Sequence, residues 1–206
     1  MNNVKIAVIY YSATGTNHRL ALEAEKAARE MGAEVRVRRV PELAPPDAIN
    51  SNPAWKEHVE KTADVAVASL DDLDWADGLI FSVPTRYGNM AAQMKQFLDS
   101  TGPLWAQGKL ANKTVTAMSS AANPHGGQET TILALYTSMY HWGAIVVAPG
   151  YTDQVLFAAG GNPYGTSVTA SEEGIPAETL TAVRHQTKRL VEITHRLVST
   201  PITAGH

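Results

Sequence analysis

The feature that most limits the fold is an alternation in which five apolar strand patterns are each followed by helical periodicity. Residues 4–10 are nearly all apolar and read as a strand buried on both faces. Leu20, Ala24, Ala27, Ala28 and Met31 then recur at helical spacing, and Gly32 follows where a C-cap glycine is expected. Residues 34–40 put Val35 and Val37 on one face with charges between them, the two-residue period of a strand. Residues 78–83 are apolar enough for a sheet centre, and residues 89–100 form a helix with Met90, Met94, Phe97 and Leu98 in register. Residues 114–118 make a fourth strand and 144–148 a fifth. Between these two lies a helix over 128–142, with Ile132, Leu135, Tyr136, Met139 and Tyr140 on one side. The last helix runs from about Pro176 to Val198. This order predicts a doubly wound α/β fold, a five-stranded parallel sheet with helices on both faces. Two stretches break the rhythm. Residues 41–62 contain Pro45, Pro46 and Pro53 and predict a long excursion with one short helix near Trp55, and residues 150–174 are rich in glycine. No repeat or linker divides the chain, so 1–206 reads as one domain.

Composition narrows the function classes. A hydrophobic fraction of 44% permits a large core, and 18% charged residues is too low for a disordered chain. A net charge of −3 gives no electrostatic case for nucleic acid or an anionic membrane. The lack of cysteine excludes disulfides, thiol catalysis and thiolate metal sites, and it fits a reducing compartment. No apolar run approaches the roughly 20 residues of a membrane span, and the first residues have no signal-peptide pattern. The expectation is a soluble, cytoplasmic protein.

Parallel sheets bind ligands beyond the C-terminal ends of their strands. Three loops leave that edge. The first, Ser12, Ala13, Thr14, Gly15, Thr16 and Asn17, joins the first strand to its helix. Its hydroxyls are donors, its glycine lets the backbone approach closely, and the helix N-terminus adds unpaired N–H groups. It is neither a Gly-x-Gly-x-x-Gly turn nor a Walker loop. A loop of neutral donors suits a single phosphate. The second loop is Pro84, Thr85, Arg86, Tyr87, Gly88 and Asn89. The third is Ser119, Ser120, Ala121, Ala122, Asn123, Pro124, His125, Gly126 and Gly127. Their small residues suit a planar heteroaromatic ligand lying against exposed backbone. Taken singly, each feature has an ordinary structural reading: a βα turn, a solvated Arg86, a core-capping Trp105, a structural His141. Together at one edge they point to a ligand site. No His/Asp/Glu cluster has metal-ligand spacing, and no nucleophile elbow is present.

Several segments match a known family. They include Pro84-Thr85-Arg86-Tyr87-Gly88-Asn89-Met90, Gln93-Met94-Lys95, Phe97-Leu98-Asp99 and Thr101-Gly102-Pro103-Leu104-Trp105. Gly126-Gly127-Gln128-Glu129-Thr130, Asn162-Pro163-Tyr164-Gly165 and Val40-Pro41-Glu42 belong with them. The chain resembles, over nearly its whole length, the WrbA-type NAD(P)H:quinone oxidoreductases, which have a flavodoxin-like fold and bind FMN. The resemblance implies that residues 12–17 hold the FMN phosphate. Thr85, Arg86 and Tyr87 would lie along the isoalloxazine ring, and Ser120 to Gly126 would border its other edge. His141 would reach the flavin, and Trp105 would wall the space shared by nicotinamide and quinone. It implies a homotetramer with active sites near subunit contacts. Two departures stand out. Where the family often has Met-Tyr-Gly-His, this chain has Ala13, Thr14, Gly15 and Thr16, so the tyrosine's aromatic face is missing. The third loop has Ala121-Ala122-Asn123-Pro124-His125 in place of a threonine and glycine run.

The implied reaction is two-electron reduction of a quinone to a hydroquinone by NAD(P)H, in ping-pong fashion. Water, His141 and Tyr87 are the candidate proton donors. One rival is a flavodoxin-like single-electron carrier, whose usual strong acidity a net charge of −3 does not match. Another is a non-catalytic interaction protein that keeps FMN.

Overall fold

The computed structural model describes residues 3–199. β1 (Lys5–Tyr10) leads into α1 (Thr16–Glu30), and β2 (Glu34–Arg39) follows. The first excursion holds α2 (Pro46–Asn50) and α3 (Pro53–Lys61), two short helices where one was expected, and α4 (Leu70–Trp75) comes after it. β3 (Gly78–Arg86), β4 (Asn89–Met90), α5 (Ala92–Asp99), α6 (Gly102–Ala106) and β5 (Thr114–Ala121) form the middle of the chain. α7 (Gln128–Trp142), β6 (Ile145–Val146), α8 (Val155–Ala158), β7 (Ser167–Thr169) and α9 (Ala177–Ser199) complete it.

The parallel core has the order β2-β1-β3-β5-β6, with β4 and β7 attached to it, so the sheet has seven strands, not five. Side chains alternate across it as the two-residue period requires. Ile6, Val8 and Tyr10 pack with Leu20, Ala24 and Val183 of α1 and α9 on one face. Ala7 and Ile9 pack with Leu73, Met94, Leu104 and Leu135 of α4, α5, α6 and α7 on the other. Among the described residues, no helix is long and apolar enough to cross a membrane.

The two added strands correct two expectations. The helix expected from residue 89 begins only at Ala92, because Asn89 and Met90 turn back antiparallel on Arg86 and Thr85. Tyr87 (φ 53°) and Gly88 (φ 78°) form the tip, the positive-φ pair of a two-residue type I′ hairpin. The fifth strand is split. β6 covers Thr114 and Val115, and β7 covers Ser119, Ser120 and Ala121. Between them the chain leaves the sheet for the second excursion, and Ala117, paired with Phe81 of β3 on one side, has no strand partner on the other. Side chains replace it. The Ala117 N–H donates to the Tyr136 hydroxyl at 3.1 Å, which donates to the Tyr164 carbonyl at 2.7 Å. Gln186 donates to the Ala117 carbonyl at 2.8 Å and accepts from the Thr166 N–H at 2.7 Å. Buried backbone groups require such partners. A Cβ on Gly165 would sit 2.1 Å from the Ala117 oxygen, so only glycine fits this crossing.

Candidate active site

β1, β3 and β5 are neighbours, so the loops that follow them share one edge. They enclose a cavity of about 570 Å³, within the range of small-molecule sites.

The first loop is a cradle of neutral donors. Gly15 lies at φ 100°, a conformation that favours glycine, and its N–H donates to the Ser12 hydroxyl at 3.0 Å. Intrahelical bonding starts with the Arg19 N–H, which donates to the Gly15 carbonyl at 2.9 Å. The N–H groups of Thr16, Asn17 and His18 precede it and have no acceptor within the helix. Ser12, Ala13, Thr14, Thr16 and Asn17 line the cavity. This donor set fits a phosphate held without a lysine or arginine in the loop.

Asn17 has a second task. Its side chain is buried, donates to the Ser120 hydroxyl at 2.6 Å, and accepts from the Ser82 hydroxyl at 3.2 Å. It braces the first loop against the third strand and third loop. Thr85 is likewise a brace. Its hydroxyl accepts from the Gly88 N–H at 3.2 Å and from the Thr131 hydroxyl at 2.9 Å, and donates to the Gly126 carbonyl at 3.2 Å. A Cβ on Gly127 would lie 2.7 Å from the Gly88 Cα, so the second and third loops pack backbone on backbone. Pro84, Thr85, Arg86 and Tyr87 line one side of the cavity, and Ser120, Ala121, Ala122, Asn123 and Gly126 line another. Tyr87 projects from the hairpin tip with its side chain fully in solvent (relative exposure 106%). These walls of small residues and backbone fit the flat ring of FMN.

Three lining residues were not legible in the sequence: Asn52, Trp55 and Ala170. They come from the two excursions. Asn52 caps α3 by accepting from the Ala54 and Trp55 N–H groups at 3.1 and 3.2 Å. Asn52-Pro53, a helix-start pair, was the signal that places Trp55 on a first turn. Glu42 fixes the indole. It accepts from Trp55 Nε1 at 3.0 Å, Gln93 Nε2 at 2.6 Å and the Tyr11 hydroxyl at 3.0 Å. Burial pushes the Glu42 carboxyl up, but bonds from the Ala44 N–H, Gln93, Tyr11 and the Leu43 N–H outweigh it and hold the group below its ordinary value. Burial and the Glu42 charge push the Tyr11 hydroxyl well above the ordinary tyrosine range.

Several expected contacts lie elsewhere. His141 is the penultimate residue of α7. The helix N-terminus borders the cavity, and at 1.5 Å per residue His141 sits about 20 Å away. Trp105 is bound to that far end, its indole N–H donating to the His141 carbonyl at 2.9 Å, and it is 59% exposed. Within one chain neither reaches the cavity. Pro124 faces a separate hollow of about 370 Å³ beside Glu129 and Glu178. His125 is exposed, with its N–H on Asn123 Oδ1 at 3.0 Å. Gly15, Gly88 and Asn89 shape the loops without lining the cavity.

The profile of the NADPH-dependent FMN reductase family matches residues 4–153. A protein of Deinococcus radiodurans named NAD(P)H dehydrogenase (quinone) is 50% identical over 95% of this chain and 98% of its own. One of the same name from Geotalea uraniireducens is 42% identical over 94% of this chain and 99% of its own. Among solved structures, a WrbA-like flavodoxin from Agrobacterium tumefaciens superposes with a TM-score of 0.65 at 18% identity, covering 94% of this chain and 99% of its own. At that identity the likeness speaks for the flavodoxin-like fold. The chain thus belongs to the flavodoxin-like NADPH-dependent FMN reductase family, in the group of relatives named NAD(P)H dehydrogenase (quinone).

Proposed function

We propose that the protein is an FMN-dependent oxidoreductase that passes two electrons from NAD(P)H to a quinone. The observation that carries this reading is the cavity of about 570 Å³, with a neutral phosphate cradle at one end and backbone walls at the other. Bound FMN supplies the hydride-accepting and electron-donating chemistry. The chain's own residues bind and orient. The loop from Ser12 to Asn17 holds the phosphate, with Asn17 and Ser120 fixing its distance from the ring walls. Residues 84–87, residues 120–123 and Gly126 flank the ring and exclude water from its edge. Trp55, held by Glu42, walls the open side with an aromatic surface. It supplies an aromatic surface at the cavity, which Thr14 cannot. The Tyr87 side chain, exposed at the rim of the cavity, joins water and His141 as a proton donor for an incoming quinone.

One open space serves both substrates, so the kinetics are ping-pong: NAD(P)+ leaves before quinone enters. The chain works as one domain in a soluble, cytoplasmic homotetramer. Trp105, Tyr140, Tyr151 and Phe157 are all exposed aromatics, the last two stacked at 4.9 Å, and such surface commonly marks an interface. In that assembly His141 and Trp105 of one copy complete the site of another, which reconciles their position with a role. The test is a steady-state assay of the FMN-loaded protein with NADH or NADPH and a simple benzoquinone. Parallel double-reciprocal lines are expected. Intersecting lines refute the ping-pong order, and absent turnover leaves the electron carrier or the interaction protein. Light scattering tests the tetramer, which a stable and fully active monomer refutes.

A further inference from the structure

Behind the phosphate cradle lies an aromatic stack that the reaction itself does not use. The His18 ring stacks on Tyr10 with centroids 4.6 Å apart, and the His58 ring lies 5.4 Å from His18. His58 presses against the cradle, since a Cβ built on Gly15 would meet its Nδ1 at 3.4 Å. Among the described residues, neither imidazole makes a side-chain hydrogen bond, and the buried Tyr10 hydroxyl has no partner. The cradle contains no lysine or arginine. A phosphate dianion placed there gains neutral dipoles in front and two ionisable rings behind.

We propose that His58, with His18, is an electrostatic part of the cofactor phosphate site: the pair takes up a proton from solvent when the phosphate binds, and the imidazolium balances the dianion through Gly15. This deepens the FMN reading above and rests on it.

The groups facing the pair disfavour an imidazolium in the absence of an anion, Glu25 beside His18 excepted. Lys61, on the helix of His58, and Arg39 of β2 both oppose a second positive charge there. Glu42 shares the hollow, but its carboxylate is taken up by five donors. Tyr10 of β1 stays protonated, its hydroxyl pushed up to about 12 by burial. Without a ligand, burial first, then His18 and Lys61, push His58 down to about 4, and burial lowers His18. Both rings are therefore neutral near pH 7 until an anion arrives. The sign follows. If the complex binds protons that the apoprotein does not, affinity rises as pH falls through the complex's pKa. The gain is complete below the apoprotein value of about 4. The free FMN phosphate has its own ionisation near pH 6, a contribution common to every variant.

The experiment compares FMN and riboflavin, which lacks the phosphate, across pH 6 to 8.5 by flavin fluorescence. The proteins are wild type, His58→Gln and His18→Asn, with circular dichroism confirming their folds. His58→Gln should weaken FMN about tenfold at pH 6, the loss that follows when bound phosphate strengthens the hold of His58 on its proton about a thousandfold from its starting value of about 4. It should approach parity at pH 8.5 and leave riboflavin unchanged throughout. His18→Asn should act in the same direction. Calorimetry in two buffers of different ionisation enthalpy should show proton uptake by the wild type that His58→Gln reduces. Equal weakening of both flavins, or a loss of FMN affinity that ignores pH, overturns the proposal, because it makes the pair a packing element. If wild-type protein binds riboflavin and FMN equally, the phosphate site itself fails.

Discussion

The Asn17 amide donates a 2.6 Å hydrogen bond to the Ser120 hydroxyl, joining two loops that lie 103 residues apart in the chain. Through this bond the spacing of the first and third loops across the cavity is set by a buried side chain, not by either loop alone. The Ser82 hydroxyl completes the brace with bonds to the Asn17 carbonyl at 2.9 Å and Oδ1 at 3.2 Å.

Asn17→Ala removes that brace and leaves the buried Ser120 hydroxyl without its partner, while Ser82 keeps the main-chain carbonyl of residue 17. A loss of about 1–3 kcal/mol in stability is expected, together with weaker FMN binding. Urea denaturation and a fluorescence titration check the two effects. An unchanged FMN affinity in a destabilised variant means that the loops keep their spacing without the bond.

Gly15→Ala forces a Cβ onto a backbone at φ 100° and against the His58 ring. The expected cost is about 1–3 kcal/mol of backbone strain. The strain is local, so FMN affinity should fall while the far-ultraviolet circular dichroism stays the same. Thermal melting with and without FMN is the measurement.

Tyr136→Phe takes away the hydroxyl that satisfies the Ala117 N–H at the gap in the fifth strand. A buried N–H left unpaired costs about 1–3 kcal/mol. Because this hydroxyl lies along the sheet rather than at the cavity, FMN affinity should hardly change. Hydrogen exchange at Ala117 should quicken relative to Ala7 and Leu79, which lie in intact ladders.

The apoprotein should lose stability as pH falls below about 6.5, the ordinary histidine value. His58 is held down to about 4 in the native state, so the unfolded chain binds the extra proton first. Its stabilising contribution is whole above the unfolded value and drains away between there and about 4. His18, also lowered by burial, adds to the same slope. Urea unfolding from pH 7.5 to 4.5 should show this fall, and His58→Gln should flatten it. A wild-type profile flat down to pH 5 contradicts the neutral pair.

Sequence alone determined the sheet and its two-sided covering, because alternation at strand period and apolar stripes at helical period are local properties. Ile6, Val8 and Tyr10 go to one face and Ala7 and Ile9 to the other, as pattern requires. It also determined which loops share the cavity edge, since parallel strands must end at a common edge. What it did not contain was anything that depends on two distant segments meeting. The splitting of the fifth strand depends on Tyr136 and Gln186 reaching Ala117 from α7 and α9. Trp55 joins the cavity because Glu42, 13 residues away, holds its indole. His141 reads as a site residue, but the length of α7 carries it about 20 Å from the cavity edge, where Trp105 of α6 is bonded to it. The placing of His58 behind Gly15 is of the same kind. A helix in an irregular excursion has no periodicity that fixes where it docks, and only the packed structure brings that ring to the loop.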